Sequence, residues 1–403
     1  MKRLWIVTEL FYPEETSTAY ILTKIANKLA ENVEVHVICG PSSYQDSKSI
    51  EPKSIGKINP SVQIHRVSET KLDKNKLIMR ILRFILLSCK LSRMLWKNLK
   101  SEDQVFIVTN PAPLLVLVSL IKKIKGNYLY ILVHDVFPEN TIPAKIISSE
   151  KSLFYRMLRS VFNKAYRSAD KLIVLGRDMK DVMQQKLGDN PHNTQITIIE
   201  NWAECDSIHA GFLKSDDCAD LIDIQYAGNL GRVQGLMSLL EIIKNAKNEG
   251  LRFSFWGNGA VKKDMENYVE LHDLKNIQFG GSYKRREQNS ILNNCDLAII
   301  TLAEGMRGLG VPSKTYNILA TGKPILFIGD LTSEVALLLK EHDVGYCFAS
   351  NDKKGLLNFF QAISYNYRVE FEEKGRRARN LAEKLYSEHI ILKKYSDLIL
   401  SDK

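Results

Sequence analysis

The sequence lacks the patterns that mark several protein classes. Its six cysteines are scattered with no C-x-x-C spacing, which argues against a zinc site and a disulfide framework and is typical of a reduced, cytoplasmic protein. No Asp-x-Asp cluster is present to hold a metal ion, and we expect no signal peptide, because Met1-Lys2-Arg3 leads directly into a short strand pattern. The most apolar stretch, 76–100, has apolar runs too short to cross a bilayer.

What is present fits a two-domain globular protein with an anionic partner. The length of 403 residues suits two domains, and 45% apolar residues is ordinary for globular cores. Lysine and arginine number 56 against 46 aspartates and glutamates, giving a net charge of +10. This excess favours a nucleotide, a phospholipid surface or a nucleic acid as partner.

A glycine-rich unit at 304–324, EGMRGLGVPSKTYNILATGKP, predicts a loop, a short helix over 314–320 and a stop at Gly322. The following Ile325–Ile328 has the pattern of a buried strand. Free N–H groups at a helix start, with a nearby serine and lysine, favour anion binding. The alternative is an ordinary loop between a strand and a helix.

A second glycine loop lies earlier, in the segment 221–243. A predicted strand ends at Ala227, the loop runs from Gly228 to Gly235, and an amphipathic helix follows. Glycines at 228, 231 and 235 allow a pyrophosphate to approach the backbone, although their spacing differs from the dinucleotide fingerprint.

The order and spacing of these loops resemble the carboxy-terminal domain of retaining glycosyltransferases of family 4, which have the GT-B fold. The subgroup most similar builds bacterial surface polysaccharides, such as colanic acid and O-antigen. The resemblance covers nearly the whole chain, and its other segments are the YPEE loop at 12–15, HDVFPE at 134–139, LGRDM at 175–179, IIENW at 198–202, FWGNGAVKKDME at 255–266 and FGGSYKRREQNSILNNCDLAII at 279–300.

The fold that this resemblance implies is α/β, with two Rossmann-like doubly wound domains facing a central cleft. We expect an acceptor-binding domain over 1–202, a linker over 203–219 and a nucleotide-sugar-binding domain over 220–381. The C-terminal helix, about 382–403, is expected to cross back to the first domain. Open parallel sheets bind ligands at the carboxyl ends of their strands, and a cleft between domains is the usual small-molecule site.

The resemblance also implies a donor site in the second domain. Departures from the family matter here: Asn229 and Gln234 stand at its phosphate-loop Arg and Lys, and Leu309 and Asn317 at its paired glutamates. Positive charge for the diphosphate is therefore expected from Arg232 and Lys314. The other expected donor-binding residues are Gly228, Asn229, Leu230, Gly231, Gln234, Gly257, Tyr283, Glu304, Gly308, Gly310, Ser313 and Asn317.

In the first domain, His134 follows a predicted strand and matches a family histidine beside the donor sugar and leaving group. A structural histidine is the alternative. Asp135 is expected to orient His134 or to contact the acceptor. The first loop, which faces the acceptor in the family, has no glycine pair here; its candidate acceptor-binding residues are Glu14, Glu15, Thr16 and Ser17, with a solvated charged loop as the alternative.

The stretch 76–100 predicts a basic amphipathic helix whose lysines and arginines fall within an arc of about 160°. Such a helix could lie on an anionic membrane, with Arg80, Arg83, Phe84 and Trp96 as contacts. The alternative is a helix on the domain core with a solvated basic face.

The resemblance, taken with these residues, implies a retaining, metal-independent glycosyltransferase without a resident cofactor. The expected donor is a UDP-sugar carrying an N-acetylated or deoxy amino sugar. The expected acceptor is an undecaprenyl-diphosphate-linked saccharide at the inner membrane, so that the enzyme is cytoplasmic and membrane-associated, with no nucleic-acid partner. Two alternatives stay open: a GT-B sugar-nucleotide epimerase, and a non-catalytic basic membrane-binding protein.

Overall fold

The structure is a computed structural model that describes residues 3–42, 57–69, 77–188, 194–211 and 221–401, without the side chains of Leu77, Ile78 and Arg80. The chain forms two compact units. The first comprises Met1–Glu200 with Leu392–Lys403, and the second comprises Asn201–Ile391. The expected linker at 203–219 is described as far as Gly211, and that part packs within the second unit.

Seven strands form the sheet described in the first unit: β1 (Arg3–Thr8), β2 (Glu34–Cys39), β3 (Gln63–Arg66), β4 (Gln104–Val108), β5 (Tyr128–Val133), β6 (Lys171–Val174) and β7 (Gln195–Ile198). All neighbours pair in parallel, in the order β3-β2-β1-β4-β5-β6-β7. Strands β4 and β5 are nearly continuous apolar runs, as expected where helices cover both faces of a sheet. The strand order reverses between β1 and β4, which is where open α/β sheets bind ligands.

The helices of this unit are α1 (Ser17–Leu29), α2 (Leu77–Asn98), α3 (Ala112–Lys125), α4 (Leu153–Arg167) and α5 (Arg177–Leu187), joined by the last part of α13 (Glu388–Ser401). Helix α3 ends at Gly126, whose φ of 74° lies in the left-handed region that glycine adopts without steric cost. Within the unit, α13 packs Tyr395 against Phe106 of β4 and pairs Lys394 with Glu200 at 2.6 Å.

The second unit has a sheet of six described strands: β8 (Ile222–Ala227), β9 (Leu251–Trp256), β10 (Ile277–Phe279), β11 (Leu297–Thr301), β12 (Ile325–Gly329) and β13 (Gly345–Ala349). Their parallel order is β10-β9-β8-β11-β12-β13, so the reversal falls between β8 and β11. The helices are α6 (Leu236–Ala246), α7 (Lys262–Leu271), α8 (Gln288–Asn293), α9 (Lys314–Ala320), α10 (Glu334–His342), α11 (Lys353–Ala362) and α12 (Tyr367–Leu385). Two Rossmann-like domains are therefore confirmed.

Helix α2 confirms the helix predicted from 76–100. The placement of basic and apolar side chains around it differs from a helix with a solvated basic face and a buried apolar face. Arg83 donates to Glu9 Oε1 at 2.9 Å, and Lys90 donates to the carbonyl of Ser68 at 3.1 Å. These partners draw both cations toward the domain, while Leu82 and Leu86 are exposed. Among the described helices, none is both long and apolar enough to cross a membrane.

A buried carboxylate ties the start of the first unit together. Asp103 accepts hydrogen bonds from Arg3 Nε at 3.0 Å, Arg3 Nη2 at 2.7 Å, Trp5 Nε1 at 3.0 Å and the Lys100 amide at 2.8 Å. Burial alone would raise the pKa of Asp103, but the bonds from Arg3, Lys100 and Trp5 outweigh it and lower that pKa.

We predict that Asp103→Ala destabilises the first unit by about 2–4 kcal/mol, because it leaves buried donors unpaired. Since the folded-state pKa is lowered, the contribution of Asp103 is present above its unfolded pKa and is lost as the pH falls through the folded value. Hydrogen exchange of the β1 amides in increasing urea measures the effect. The exposed neighbour Glu102 provides the control, Glu102→Ala, and equal protection in the two variants would contradict the prediction.

Candidate active site

The two glycine loops predicted from the sequence lie side by side in the second unit. The Gly228–Gly235 loop follows β8, and the 302–313 loop follows β11, so they leave the two strands that flank the reversal of strand order. The Ala303 amide donates to the Val233 carbonyl at 2.7 Å and joins the loops. The carboxyl ends of these strands thus form the ligand-binding edge that such sheets use.

The first loop depends on a close approach between two backbones. The Gly228 amide donates to the Trp256 carbonyl at 2.9 Å. A Cβ at Gly257 would lie 1.9 Å from the Gly228 carbonyl oxygen, and Gly257 has a φ of +133°. Both the close approach and the dihedral require glycine at 257. Gly257 therefore shapes the turn that carries Gly228.

Lys314, the first residue of α9, directs its amine at this turn. Lys314 Nζ lies 3.5 Å from the position of a Cβ on Gly228 and 3.4 Å from the ring centroid of Tyr226. The Nζ atom is buried and finds no hydrogen-bond partner among the described residues. Burial lowers the pKa of Lys314 to about 7. An unpaired buried amine beside a glycine turn is suited to an anionic ligand.

Tyr226 connects this amine to the glycine loop. Its side chain is 1% exposed, its ring faces Lys314, and its hydroxyl donates to the Asn229 carbonyl at 2.7 Å. The sequence analysis did not identify Tyr226. As a buried aromatic residue near the end of a strand, it has the pattern of a core residue, and only its position two residues before Gly228 hints at the site.

Other predicted members of the first loop have different roles. Leu230 is fully buried, and its amide donates to the Asn258 carbonyl at 2.9 Å, so it anchors the loop. Arg232 is exposed at the start of a short 3-10 turn. Gln234 Oε1 is buried without a partner in the part of the chain that the structure describes. A half-turn of this amide would direct its NH₂ group into the loop as a donor.

The 302–313 loop contributes mainly backbone groups, rather than side chains, to the candidate site. Glu304 is exposed in a turn, and Gly305 and Gly308 have φ values of 82° and 68°. Ser313 precedes α9, where its side chain makes no capping hydrogen bond within the described chain. Gly310 leads into the same segment. Tyr283, half-buried, is close enough to Tyr226 to contribute to the raised pKa of Tyr226, although burial is the larger cause.

Asn317 has an internal partner that the sequence did not reveal. Asn317 Oδ1 accepts from the Glu204 amide at 3.0 Å, and Asn317 Nδ2 donates to Glu204 Oε1 at 2.7 Å. Arg285 pairs with the same carboxylate oxygen. Glu204 thereby brings an acidic group to the position where the resemblance expected one from residue 317. Ribose binding by Asn317 stays a prediction, and it would require this amide to exchange partners.

In the first unit, His134 and Asp135 lie directly after β5, and both of their amides donate to Thr109 Oγ1, at 3.1 and 3.2 Å. His134 Nε2 is buried with no hydrogen-bond partner among the residues described. Burial lowers the pKa of His134 to about 4 and raises the pKa of Asp135 to about 6. The imidazole is therefore neutral at pH 7 and can form a hydrogen bond there.

In the loop that follows β1, two of the predicted acceptor-binding side chains already form hydrogen bonds within the fold. Thr16 Oγ1 accepts from the Ala19 amide at 3.3 Å as the cap of α1, which engages that hydroxyl in the fold. Ser17 is the first residue of the helix, and Glu14 is 9% exposed and accepts from Ser42 Oγ at 3.4 Å. Glu15 is exposed. Acceptor binding by these four residues stays a prediction.

No group of three or more His, Cys, Asp or Glu side chains that could hold a metal ion occurs within the described ranges. Metal independence stays a prediction, because this observation does not test it.

Comparison with known proteins identifies the family. The chain is 32% identical over 403 residues to WbjE of Pseudomonas aeruginosa, named as a probable glycosyltransferase, and the match covers 98% of this chain and 97% of WbjE. The chain belongs to the bacterial GT-B glycosyltransferases. WcaI of Escherichia coli K12, named for colanic acid biosynthesis, is 22% identical over 228 residues, which is 54% of this chain and 55% of WcaI. No protein-family model matches the chain.

Solved structures support the fold of the transferase. Sucrose-phosphate synthase from Thermosynechococcus elongatus superposes with a TM-score of 0.76 at 12% identity, covering 100% of this chain and 99% of that one. Anabaena HepE, solved in complex with UDP, superposes with a TM-score of 0.70 at 14% identity and covers both chains completely. At such identities the likeness shows the GT-B fold alone. Relationship to a glycosyltransferase over the whole length favours transfer over the epimerase and non-catalytic alternatives.

The sequence analysis expects a UDP-sugar at this loop, and on that expectation we predict that Gly257→Ala weakens UDP binding by tenfold or more, an order of magnitude expected when a loop that positions its ligand is displaced. The added methyl group collides with the Gly228 carbonyl and forces an unfavourable φ. Isothermal titration calorimetry with UDP measures the change. Gly281→Ala is the matched control, since a Cβ there meets nothing within 4 Å. Equal affinities in the two variants would show that this turn does not shape the site.

Proposed function

We propose that the transferase moves a sugar from a UDP-sugar to a lipid-linked saccharide during the synthesis of a bacterial surface polysaccharide. The observation that carries the donor half is the unpaired amine of Lys314 beside the Gly228 turn. The UDP bound in HepE supports uracil as the base, and the name of WcaI supports the class of product. The transferred sugar is proposed to be an N-acetylated or deoxy amino sugar.

In this proposal the diphosphate lies against the Gly228–Gly235 loop and accepts a hydrogen bond from Lys314 Nζ. Charge accumulates on the departing diphosphate in the transition state, so a cation held beside it stabilises the transition state more than the ground state. Arg232 is exposed at the same loop and adds a second positive group. Exclusion of Lys314 Nζ from water strengthens its attraction for the diphosphate.

We propose that transfer retains the configuration at the anomeric carbon, as in glycosyltransferase family 4. The acceptor hydroxyl oxygen bonds to the anomeric carbon while the bond from that carbon to the diphosphate oxygen breaks on the same face. The acceptor proton passes to that departing oxygen, and UDP leaves. His134, neutral near pH 7, is proposed to hydrogen-bond the transferred sugar, and Asp135 to contact the acceptor. No metal ion is required in this scheme.

The proposed acceptor is an undecaprenyl-diphosphate-linked saccharide at the inner leaflet of the plasma membrane. Two observations support this acceptor: the similarity to WcaI, which is named for colanic acid biosynthesis, and the net charge of +10. A lipid-linked acceptor requires the enzyme to work at a membrane surface, so we propose a cytoplasmic protein that associates peripherally with the inner membrane.

A nucleotide screen tests the donor assignment. Calorimetry with UDP, GDP, ADP, dTDP and CMP is expected to give selective binding of UDP by the full chain. Lys314→Ala is expected to lose this binding, with Lys340→Ala on α10 as a control for removal of an exposed lysine. Preference for another nucleotide would correct the base, and absence of binding to all five would overturn the transferase proposal for this site.

We predict that UDP-glucose affinity falls as the pH rises from 7 to 8.5, by up to about tenfold per pH unit. The pKa of Lys314 is about 7 without ligand, and a bound diphosphate raises this pKa. Below pH 7 the amine is already protonated before the ligand binds. Above pH 7 the amine must take up a proton on binding, which weakens the observed affinity. UDP-glucose is the probe because its diphosphate has no phosphate monoester titrating near pH 6. Lys314→Met is expected to bind weakly with a flat profile.

The contrasting variant Lys314→Arg retains a charge throughout this pH range. It is expected to lose the pH dependence whether or not it binds as tightly as the natural protein. A wild-type profile that stays flat from pH 6 to 8.5 would contradict the assignment of the lysine as the group that titrates.

We predict that His134→Ala lowers the turnover number by about 10²-fold while UDP affinity changes little, because the loss of one hydrogen bond aimed at the transition state has that magnitude. Release of UDP from a UDP-sugar, in the presence of polyprenyl-diphosphate saccharides, measures turnover. His209→Ala, at an exposed side chain, serves as control. Unchanged turnover in His134→Ala would assign a structural role to this histidine.

A further inference from the structure

Exposed apolar side chains are concentrated on three helices of the first unit. Of seventeen large apolar residues exposed in the described chain, twelve lie on α2, α3 and α4. The most exposed of these twelve are Leu153 at 81%, Ile124 at 70% and Phe154 at 58%. Monomeric proteins rarely leave so many apolar side chains exposed in one region without a partner.

These helices are neighbours, with α3 packed against α2 on one side and against α4 on the other. Along each helix the exposed apolar residues recur at a spacing of four, so each helix has an outward apolar stripe. The stripes contain Leu82 and Leu86 on α2, Leu120 and Ile124 on α3, and Leu153, Met157 and Val161 on α4. We call the outward sides of α2, α3 and α4 the acid-free face.

The name reflects the charges. The three helices, of 22, 14 and 15 residues, contain twelve lysines and arginines and no aspartate or glutamate. Three of these cations pair with carboxylates of other segments: Arg83 with Glu9, Lys122 with Asp170 and Arg159 with Glu139. Five that are exposed and interleave with the apolar stripes are Arg93, Lys97, Lys123, Arg156 and Lys164.

The apolar ends of α2 and α4 lie at the edge of the sheet that carries the acceptor-side loops. Arg83, early in α2, contacts Glu9 directly after β1, and Arg159 of α4 lies 3.5 Å from Glu139, in the segment after β5. The same edge carries the loop with Glu14 and the His134 segment. A surface that contacts this part of the face would lie next to the proposed acceptor-binding loops.

We propose that the acid-free face binds the surface of a bilayer rich in anionic lipids, with the apolar stripes of α2, α3 and α4 entering the headgroup region. Interleaved apolar and basic side chains suit such a surface, where each lysine or arginine near an anionic membrane contributes about 1 kcal/mol. A second copy of this chain is disfavoured as the occupant, because two faces of the same positive charge repel each other.

The proposal differs from the sequence expectation in which residues make the contact. Arg83 pairs with Glu9, and its guanidinium lies over the half-buried ring of Phe84. Lys125 Nζ lies 4.8 Å from the centre of the Trp96 ring, which is 41% exposed. The Arg80 side chain lies outside the described residues. The contact instead extends to α4, whose first two turns contain Leu153, Phe154 and Met157. It deepens the proposed function, on which it rests for its lipid-linked acceptor.

Vesicle flotation of the full chain tests this surface without any substrate. We expect binding to vesicles containing phosphatidylglycerol and weak binding to pure phosphatidylcholine, with the difference reduced at high salt. The variant Arg93→Glu/Lys97→Glu/Lys123→Glu is expected to lose about 100-fold in vesicle affinity. The variant Leu153→Ser/Phe154→Ser/Met157→Ser is expected to lose tenfold or more, because three exposed apolar side chains no longer enter the headgroup region.

A matched control carries Leu271→Ser/Val369→Ser, which removes apolar side chains that are 78% and 68% exposed in the second unit. It is expected to bind vesicles like the natural protein. Circular dichroism and UDP titration of every variant check that the fold and the donor site are intact. Equal vesicle binding by all variants, or wild-type binding that ignores lipid charge, would overturn the proposal. So would a dimer in analytical ultracentrifugation that only the face variants dissociate.

This test separates two failures. Absence of vesicle binding by the natural protein, with UDP binding retained, would reject the membrane surface and leave the donor assignment standing. Vesicle binding without affinity for any nucleotide would reject the proposed function and retain the surface.

Discussion

The proposed donor site of this transferase depends on one unfavourable arrangement, a lysine amine buried without a hydrogen-bond partner among the described residues. Removing an ammonium group from water costs several kcal/mol, and the ring of Tyr226 at 3.4 Å recovers only about 2 kcal/mol of that. The remaining cost appears as a pKa lowered to about 7. The folded protein therefore holds a buried cation that an anionic ligand would stabilise. Preorganised catalytic sites store part of their binding energy in this way.

The surrounding backbone is arranged around that amine. Gly257 permits the Gly228 carbonyl to pass where a side chain would stand, and Gly228 in turn leaves the space beside Lys314 free. Tyr226 contacts both parts, since its ring faces the amine and its hydroxyl fixes the Asn229 carbonyl. A change in any one of these residues therefore alters the position of the amine relative to the loop. The four residues act as one unit, and their mutational effects are not expected to add.

The sequence predicted most of the fold and part of this site. Apolar runs and helix stops are local signals, so the parallel strands, the two glycine loops and the helix at 314–320 could be located from them. Pairings between distant residues leave no such signal. Glu204 meets Asn317 across 113 positions, and Arg83 meets Glu9 across 74, so neither the occupied amide nor the inward cations of α2 could be found by periodicity. Tyr226 was missed for another reason: a strand residue facing the core and one facing a ligand follow the same pattern.

The cations behind the net charge of +10 include two groups that attract anions in physically different ways. The composition alone could not separate these groups. Lys314 is a single cation withdrawn from water, so dissolved ions screen it little, and its attraction for a diphosphate is strong at short range. The cations of the acid-free face are exposed, individually weak and sensitive to salt, and they act only as a group on an extended charged surface. In the function proposed above, the first arrangement selects a small ligand by geometry, and the second increases the residence of the enzyme at the membrane that carries its lipid-linked acceptor. A basic isoelectric point therefore indicates no single partner in this protein; the burial of each cation determines which partner it serves.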